Sequence, residues 1–238
     1  LTTKWSSSIS VNQEECQQAL LDMLNVWGIQ YFDREMLEKQ EKMAGFYRIL
    51  EMLYEKEEKY DMILTCYLDD SLRERHAFAF AQKVFIEADY DSETSKKGCV
   101  EKSILNEFYR LLDLDVKKTA MVIYHHMHPY IPSVLEKMES KIKSHISEEE
   151  HTKLSRLLFE FTRHILDYKE SGSQPNTPTH DNGRSAIEPL KEATLKLQSP
   201  ELYERYLELM CNFDPKSVAS YLRSKGSGSP YRLQIVLN

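Results

Sequence analysis

Three histidines stand close together in the stretch HHMHPY, at His125, His126 and His128. Imidazole nitrogens bind zinc, so this local cluster is the first place to look for metal chemistry. Zinc sites need further sulfur or nitrogen ligands at set spacings, and neither a cysteine pair nor an HExxH sequence accompanies the cluster. Pro129 would end a helix here, and cationic histidines are favourable near a helix C-terminus. We therefore expect a helix-end cap or an exposed polar face rather than the alternative, a metal site.

Carboxylate pairs are abundant, as in EKEEKY and SEEEH, and two carboxylates can act as general acid and base. On helices, however, such pairs more often form solvated faces or ion pairs four residues apart. The chain contains no GxGxxG, GxxxxGK[ST] or GxSxG, so the sequence cues for a nucleotide cradle and for a nucleophile elbow are missing. We expect no catalytic residues and no cofactor. An α-helical metal enzyme using the three histidines is the remaining enzymatic alternative.

The elements that would position any site are predicted to be helices. Seven glycines and eight prolines are few for 238 residues, and 41% of the residues are apolar. This composition favours long helices around a sizeable core and disfavours a β-sandwich, which needs many tight turns. The net charge of −7 gives no basic footprint for nucleic acid. We predict an all-α protein that binds no nucleic acid.

The four cysteines (Cys16, Cys66, Cys99 and Cys211) are widely spaced and form no CxxC pair. Three of them sit in apolar helical runs, which predicts buried, reduced thiols in a cytosolic protein. No apolar run approaches the roughly 18 residues that span a bilayer, so we expect no direct membrane insertion. The N-terminal LTTKWSSSIS lacks an apolar signal-peptide core. We expect an internal fragment of an intracellular protein.

Apolar residues recur at helical spacing along most of the chain. One face of the first predicted helix carries Cys16, Leu20, Met23, Leu24 and Trp27, and Gly28 follows as a stop. The stretch FYRILEMLYEKEEKYDMILTCYL contains two helices joined by a short charged segment, which favours an antiparallel hairpin. The tyrosines in and around this stretch, six or seven residues apart, suit a packing seam; they are Tyr47, Tyr54, Tyr60 and Tyr67.

An aspartate follows an apolar helix end, and a new helix begins at once, in three places. These are CYLDDSLRER at Asp69 and Asp70, LLDLDVKKTA at Asp113 and Asp115, and CNFDPKSVAS at Asp214. An aspartate can cap a helix N-terminus because its carboxylate accepts the unpaired amide hydrogens. The first two lie about 45 residues apart, and the last follows after about twice that distance, which is the repeat scale of an α-solenoid. Ser147 and Glu150 form a further start signal, the capping box.

Two polar stretches interrupt the helical pattern. The first is DYDSETSKKG (89–98), which predicts a polar loop. The second is ESGSQPNTPTHDNGRSA, which predicts a flexible loop over about 170–186 that the packed core does not need.

Two stretches resemble the clathrin heavy-chain type of repeat: EKYDMILTCYLDDSLRERHAFAF and ELYERYLELMCNFDPKSVASYL. FDPKSVASYL matches the Asp-Pro-x-x-Val helix start of that family. LDDSLRERHA departs from it, because it has Ser71 at the position that corresponds to Pro215 in FDPKSVASYL. The likeness covers roughly 45–223 and extends to subunits of the endolysosomal tethering complexes CORVET and HOPS. The resemblance implies an elongated α-solenoid that acts as a non-enzymatic scaffold in endosomal vesicle tethering. It also implies a cytoplasmic protein peripheral on early endosomes, with tethering-complex subunits as partners and an indirect link to Rab GTPases.

The C-terminal KGSGSPYRLQIVLN leaves two interpretations open. In the first, 226–229 is a flexible linker that ties on a partner peptide, 230–238, and the helical solenoid occupies 1–225. Alternating apolar residues then make up the tethered peptide, with Val236 out of phase: Tyr231, Leu233, Ile235, Val236 and Leu237. A tethered peptide would mean that the solenoid has a groove for short apolar linear motifs. In the second, the tail is native and begins another helix of a coat-like or self-assembling solenoid module.

Overall fold

Helices account for nearly all of the chain that the structure describes. The structure is a computed structural model, and it describes residues 3–91, 94–144, 147–170 and 200–225. Within these ranges there are twelve α-helices, three short 3-10 helices and no β-strand. The predicted linker 226–229, the tail 230–238 and the predicted loop beyond Glu170 lie outside the described residues.

The chain divides into two compact units, Leu1–Arg110 and Leu111–Asn238. The helices of the first unit are α1 (Thr3–Trp27), α2 (Arg34–Ala44), α3 (Tyr47–Lys56), α4 (Tyr60–Asp69), α5 (Ala77–Asp91) and α6 (Thr94–Asn106). Helix α7 (Phe108–Leu114) contains the division. The helices of the second unit are α8 (Val116–His126), α9 (Ile131–Lys143), α10 (Glu148–Glu170), α11 (Pro200–Phe213) and α12 (Pro215–Lys225). The 3-10 helices are η1 (Ile29–Tyr31), η2 (Glu74–His76) and η3 (His128–Tyr130).

Local chemistry sets several of these boundaries. Helix α1 stops before Gly28, whose φ of 87° favours glycine, as the sequence predicts. Gly45 ends α2 in the left-handed conformation, with φ at 69°. The carboxylate of Asp115 accepts the amide hydrogen of Lys118 at 2.9 Å, which confirms its predicted role as the cap of α8. Ser147 likewise accepts the amide hydrogen of Glu150 through its hydroxyl oxygen, at 3.3 Å.

In the first unit, α4 is the central helix. It packs against α3, α5 and α6, and its connection to α3 is only three residues long, so α3 and α4 form the predicted hairpin. The core shared by α1 to α4 consists of Leu21, Leu24, Leu37, Ile49, Leu50, Leu53, Tyr54, Ile63 and Cys66. At the C-terminus of α4, Arg110 donates to the Leu68 carbonyl oxygen at 2.9 Å and to Asp69 at 2.7 Å. That end of α4 is therefore capped by a cation, the favourable sign for its dipole.

In the second unit, α10 packs against α8, α9 and α11, and α11 packs against α12. Phe161 and Ile165 of α10 are fully buried, as is Ile123 of α8. In both units a helix contacts its successor and also a helix further along the chain, which is how helical hairpins stack in an α-solenoid. The prediction of an all-α fold built from helical hairpins is confirmed.

Three expectations from the sequence are wrong. The predicted loop 89–98 is helical in its described residues, since α5 continues to Asp91 and α6 begins at Thr94. Asp70 does not cap a helix; its carboxylate accepts the Leu72 amide hydrogen at 3.1 Å within a turn, and α5 starts only at Ala77. The predicted apolar face of α1 and the predicted burial of the cysteines are also wrong in part, since Cys16, Trp27 and Cys211 are exposed. Gln17 of α1 is buried instead, and its side-chain oxygen accepts the Arg48 amide hydrogen at 2.9 Å.

Candidate partner-binding groove

Three side chains of α4 form the floor of an open groove in the first unit. Tyr60, Ile63 and Tyr67 lie three and seven residues apart, so they share one face of the helix and span about 10 Å of its length. Ile63 is buried, whereas the two tyrosines are half-buried. This face is available because α3 and α5 pack on either side of α4 without covering it completely.

The walls of the groove come from α3 and α5, and its cavity volume is about 350 Å³. Glu51 and Glu55 contribute from α3. Helix α5 contributes Ala79, Phe80, Lys83, Val84 and Glu87. The volume lies at the lower end of the range of about 300 to 1,000 Å³ that accepts small ligands, and it is sufficient for a few side chains of a peptide.

A tyrosine, a cation and a carboxylate meet at one end of the groove. The Tyr67 hydroxyl donates a hydrogen bond to Glu51, and Arg73 pairs with the other oxygen of that carboxylate at 2.5 Å. The Arg73 guanidinium also lies 4.5 Å from the centre of the Tyr67 ring. Burial, with the hydrogen bond to Glu51, raises the pKa of Tyr67 to about 12, so its hydroxyl stays protonated and remains a donor.

A second group of the same composition lies at the other end. Lys96 Nζ lies 4.6 Å from the centre of the Tyr60 ring and 3.2 Å from a carboxylate oxygen of Glu87. Lys83 approaches the other oxygen of Glu87 at 3.7 Å. In each group, therefore, a cation lies over the ring of the tyrosine.

The middle of the groove is apolar. Phe80 lies with its ring centre 5.5 Å from that of Tyr67, and it is half-buried beside the buried Val84. The groove thus has an apolar centre between two ends, at each of which a cation is paired with a carboxylate. Such a surface suits the side chains of a short apolar segment, and its lining contains no cysteine or serine nucleophile.

The histidine cluster and the predicted tail residues do not contribute to this groove. His125 and His126 lie in the last turn of α8, as a helix-end position requires. His128 is buried, its ring centre is 5.4 Å from that of Tyr124, and burial lowers its pKa. Among the described residues no group of three His, Cys, Asp or Glu side chains could hold a metal ion. The predicted peptide residues lie outside the described part of the chain; they are Tyr231, Leu233, Ile235, Val236 and Leu237.

The sequence did not single out the groove residues, although it carried one signal for them. The predicted tyrosine seam includes Tyr54, which is buried, and Tyr60 and Tyr67, which line the groove. The seven-residue spacing of Tyr60 and Tyr67 places them on one face, but only the packing of α3 and α5 shows that this face stays open.

Two curated relatives match most of the chain. Over 209 residues it is 29% identical to the vacuolar protein sorting-associated protein 8 homolog of Homo sapiens, and equally to that of Mus musculus. The match covers 88% of this chain but only 12% of the length of each relative. The motifs ILEMLYEKEEKYDMILTCYLDD and MCNFDPKSVASYL predict a likeness to the same protein, and the comparison confirms that likeness. Its predicted place in the C-terminal half of that protein stays a prediction.

No family model matches the chain, and no solved structure matches it significantly. In the described ranges, no helix is both long and apolar enough to cross a bilayer.

Proposed function

We propose that this chain is a non-enzymatic interaction scaffold of an endosomal membrane-tethering complex of the CORVET type. The observation that carries the proposal is the likeness to the vacuolar protein sorting-associated protein 8 homologs over 209 residues. The resemblance to clathrin heavy-chain type repeats points the same way, because such solenoids present long surfaces to partner segments. The protein would act in the cytoplasm, peripheral on early endosomes, through protein partners.

We further propose that a partner binds through a short apolar motif in the groove over α4. The apolar centre formed by Ile63, Phe80 and Val84 supports this, as do the two ends where Tyr67 and Tyr60 carry paired cations. A short peptide can anchor its apolar side chains in such a groove while its polar groups stay in water. The tail sequence PYRLQIVLN is a ready probe of this site, since its apolar residues alternate as in an extended segment.

The motif proposal is tested by calorimetry with a chain that ends at Lys225 and the free peptide PYRLQIVLN. The variant Ala79→Glu places a charge at an exposed position in the groove wall, and Ala19→Glu makes the same change on exposed α1 as the control. We expect the peptide to bind, and Ala79→Glu alone to weaken binding by about tenfold. Equal binding to both variants would place the motif site elsewhere.

The melting temperature of the full chain and of the shortened chain separates the two interpretations of the tail. If truncation lowers the melting temperature and excess peptide restores it, the tail is a docked ligand. If truncation lowers the melting temperature and the peptide does not restore it, the tail belongs to the fold. If the melting temperature does not change, the tail gives no evidence for a motif site. A mass that rises with concentration in light scattering would favour the alternative of a self-assembling module.

The tethering role is tested by a chimera. The matched 209 residues of the human relative are replaced by those of this chain, in cells that lack the endogenous protein. We expect the chimera to restore endosomal recruitment and complex assembly, whereas a relative deleted for the segment does not. A chimera that fails although it is expressed and folded contradicts the proposed function without bearing on the groove.

A further inference from the structure

Large apolar side chains are exposed at the end of α1 and along α2. Seven exposed large hydrophobic residues are found in the described part of the chain, and five of them fall between Val26 and Met43. These five are Val26, Trp27, Tyr31, Met36 and Met43. Trp27 is 61% exposed and Tyr31 is 78% exposed. Tryptophan, tyrosine and methionine are enriched in protein–protein interfaces, and such a concentration on one short segment marks an interaction surface.

A cleft accompanies these residues. Its apolar lining consists of Ile29, Phe32, Leu37 and Leu53, which also pack on the core of the first unit. The cavity volume is about 350 Å³. Along the chain, the exposed Trp27, Tyr31 and Met36 alternate with these lining residues. Exposed aromatic and methionine side chains therefore lie within one or two positions of the lining residues in the chain, and an apolar cleft with such neighbours has the composition of an anchor site. No lining residue is shared with the groove over α4.

The charges of the cleft lining are predominantly positive. Arg34 and Lys56 line it, with Glu57 as the only carboxylate in the lining. Glu57 is held by Arg34 and also by Lys59, whose Nζ lies 2.9 Å from it. The Glu57 carboxylate is therefore paired with two cations, and Lys56 adds a further positive charge to the lining. The nearby Asp33 carboxylate accepts the Met36 amide hydrogen at 2.9 Å, which commits it to capping α2.

We propose that this cleft is a second docking site, and that it takes a partner segment in which apolar anchors are flanked by acidic residues. The apolar anchor fills the lining between Leu37 and Phe32, and the flanking carboxylates meet the excess positive charge at Lys56 and Arg34. Complementary charge fixes the register of such a segment and speeds its association. Together with the motif site proposed over α4, on which this point rests, the scaffold would hold two different segments, one in each site of the same unit.

Trp27 provides the readout for the test. The chain contains two tryptophans, so the change Trp5→Phe leaves Trp27 as the single emitter. The probes are a designed peptide, EDLFEDLLDE, and its charge-reversed counterpart KKLFKKLLKK. We expect the acidic peptide to shift the Trp27 emission to shorter wavelength in a saturable way, and the basic peptide to leave it unchanged.

Two charge reversals then locate the site. Lys56→Glu reverses a cation of the cleft lining, and Lys39→Glu makes the same change at an exposed position of α2 outside the lining. We expect Lys56→Glu to weaken binding of the acidic peptide by about five- to tenfold, and Lys39→Glu to weaken it by less than about twofold. Circular dichroism confirms that both variants are folded.

Several results would overturn the proposal. These are equal binding of the two peptides, an equal loss of affinity for the acidic peptide in Lys56→Glu and Lys39→Glu, or no emission shift with either peptide. A dimer that competes with the acidic peptide in light scattering would assign the cleft to a second copy of the chain. An emission shift with phosphatidylcholine–phosphatidylserine vesicles but with neither peptide would assign it to a membrane surface.

Discussion

The Arg73 guanidinium lies 4.5 Å from the centre of the Tyr67 ring and pairs with Glu51 at 2.5 Å, so one cation joins the turn before α5 to both α3 and α4. The Arg73 and Glu51 side chains are only 23% and 24% exposed. Solvent screens such a pair less than a surface ion pair, and the Tyr67 hydroxyl is a second donor to the same carboxylate. The wall of the groove over α4 is therefore held by side chains that also form part of its lining.

Removing Arg73 should destabilise the first unit. Arg73→Ala leaves Glu51 with fewer partners and uncovers the Tyr67 ring, so we expect a loss of about 1 to 2 kcal/mol in the free energy of unfolding. Arg75, two residues later, is exposed, and Arg75→Ala removes the same charge without these contacts. Urea denaturation of the two variants measures the difference. Similar midpoints would show that the Tyr67–Glu51–Arg73 contacts contribute nothing to stability.

Glu41 should destabilise the folded chain at neutral pH. It is 4% exposed, and burial raises the pKa of its carboxyl. Because the folded carboxyl binds its proton more tightly than the unfolded one, stability falls as pH rises from the ordinary glutamate pKa through the folded pKa. We therefore expect Glu41→Gln to raise stability at pH 7, with most of the gain lost at pH 4, where Glu41 is mostly protonated in both states.

Chemical denaturation at the two pH values measures this gain. Glu14→Gln is the control, because Glu14 is an exposed carboxylate on α1. A gain in Glu41→Gln that persists unchanged at pH 4 would rule out ionisation as its cause.

Cys66 should resist alkylation in the folded protein. It is buried, and burial, together with the nearby carboxylates of Glu51 and Asp69, raises the pKa of its thiol to about 12. Only the thiolate reacts, so iodoacetamide at pH 8 should modify Cys66 at least about a hundredfold more slowly than the exposed Cys211. Peptide mass spectrometry over time measures both rates, and 6 M guanidinium should equalise them. Equal rates in the folded protein would contradict the burial of this thiol.

The sequence predicts helix ends well where one residue decides them. Gly28 takes a backbone conformation that other residues rarely adopt, and Asp115 supplies a carboxylate where α8 needs an acceptor. Asp70 has the same sequence context, yet it holds a turn. Whether a helix starts at once after an aspartate depends on where the next helix packs, and a local pattern carries no information on that.

Helix faces and open surfaces are less predictable, because they depend on neighbours. On α1 the apolar spacing predicts a face that includes Cys16 and Trp27, whereas α3 packs where Gln17, Leu21 and Leu24 lie. The polar residues of 89–98 predict a loop, but polar residues can also lie in helices that pack on a neighbour, as Lys96 of α6 does against the Tyr60 ring. The groove over α4 and the cleft lined by Leu37 and Leu53 both lie on faces that neighbouring helices leave uncovered.

The attachment of α11 to α10 should depend on Phe159. Its ring is stacked on that of Tyr206, with the ring centres 5.6 Å apart and the planes at 12°, and both residues are buried. The Phe213 ring also stacks on that of Phe159, with the ring centres 5.8 Å apart. Residues 171–199 separate the two helices in the sequence, so these rings, rather than a short connection, join α10 to α11.

Phe159→Ala should therefore lower the free energy of unfolding by about 3 to 4 kcal/mol, since it leaves a cavity and removes the stacked rings. Phe159→Leu should lower it by roughly half as much. Hydrogen exchange reports where the loss occurs. We expect the amides of α11 and α12 to exchange faster in Phe159→Ala, whereas those of α3 and α4, in the other unit, keep their protection. Faster exchange throughout the chain would mean that the two units unfold as one. Unchanged exchange in α11 would mean that the remaining contacts of α10 hold this helix without the aromatic stack.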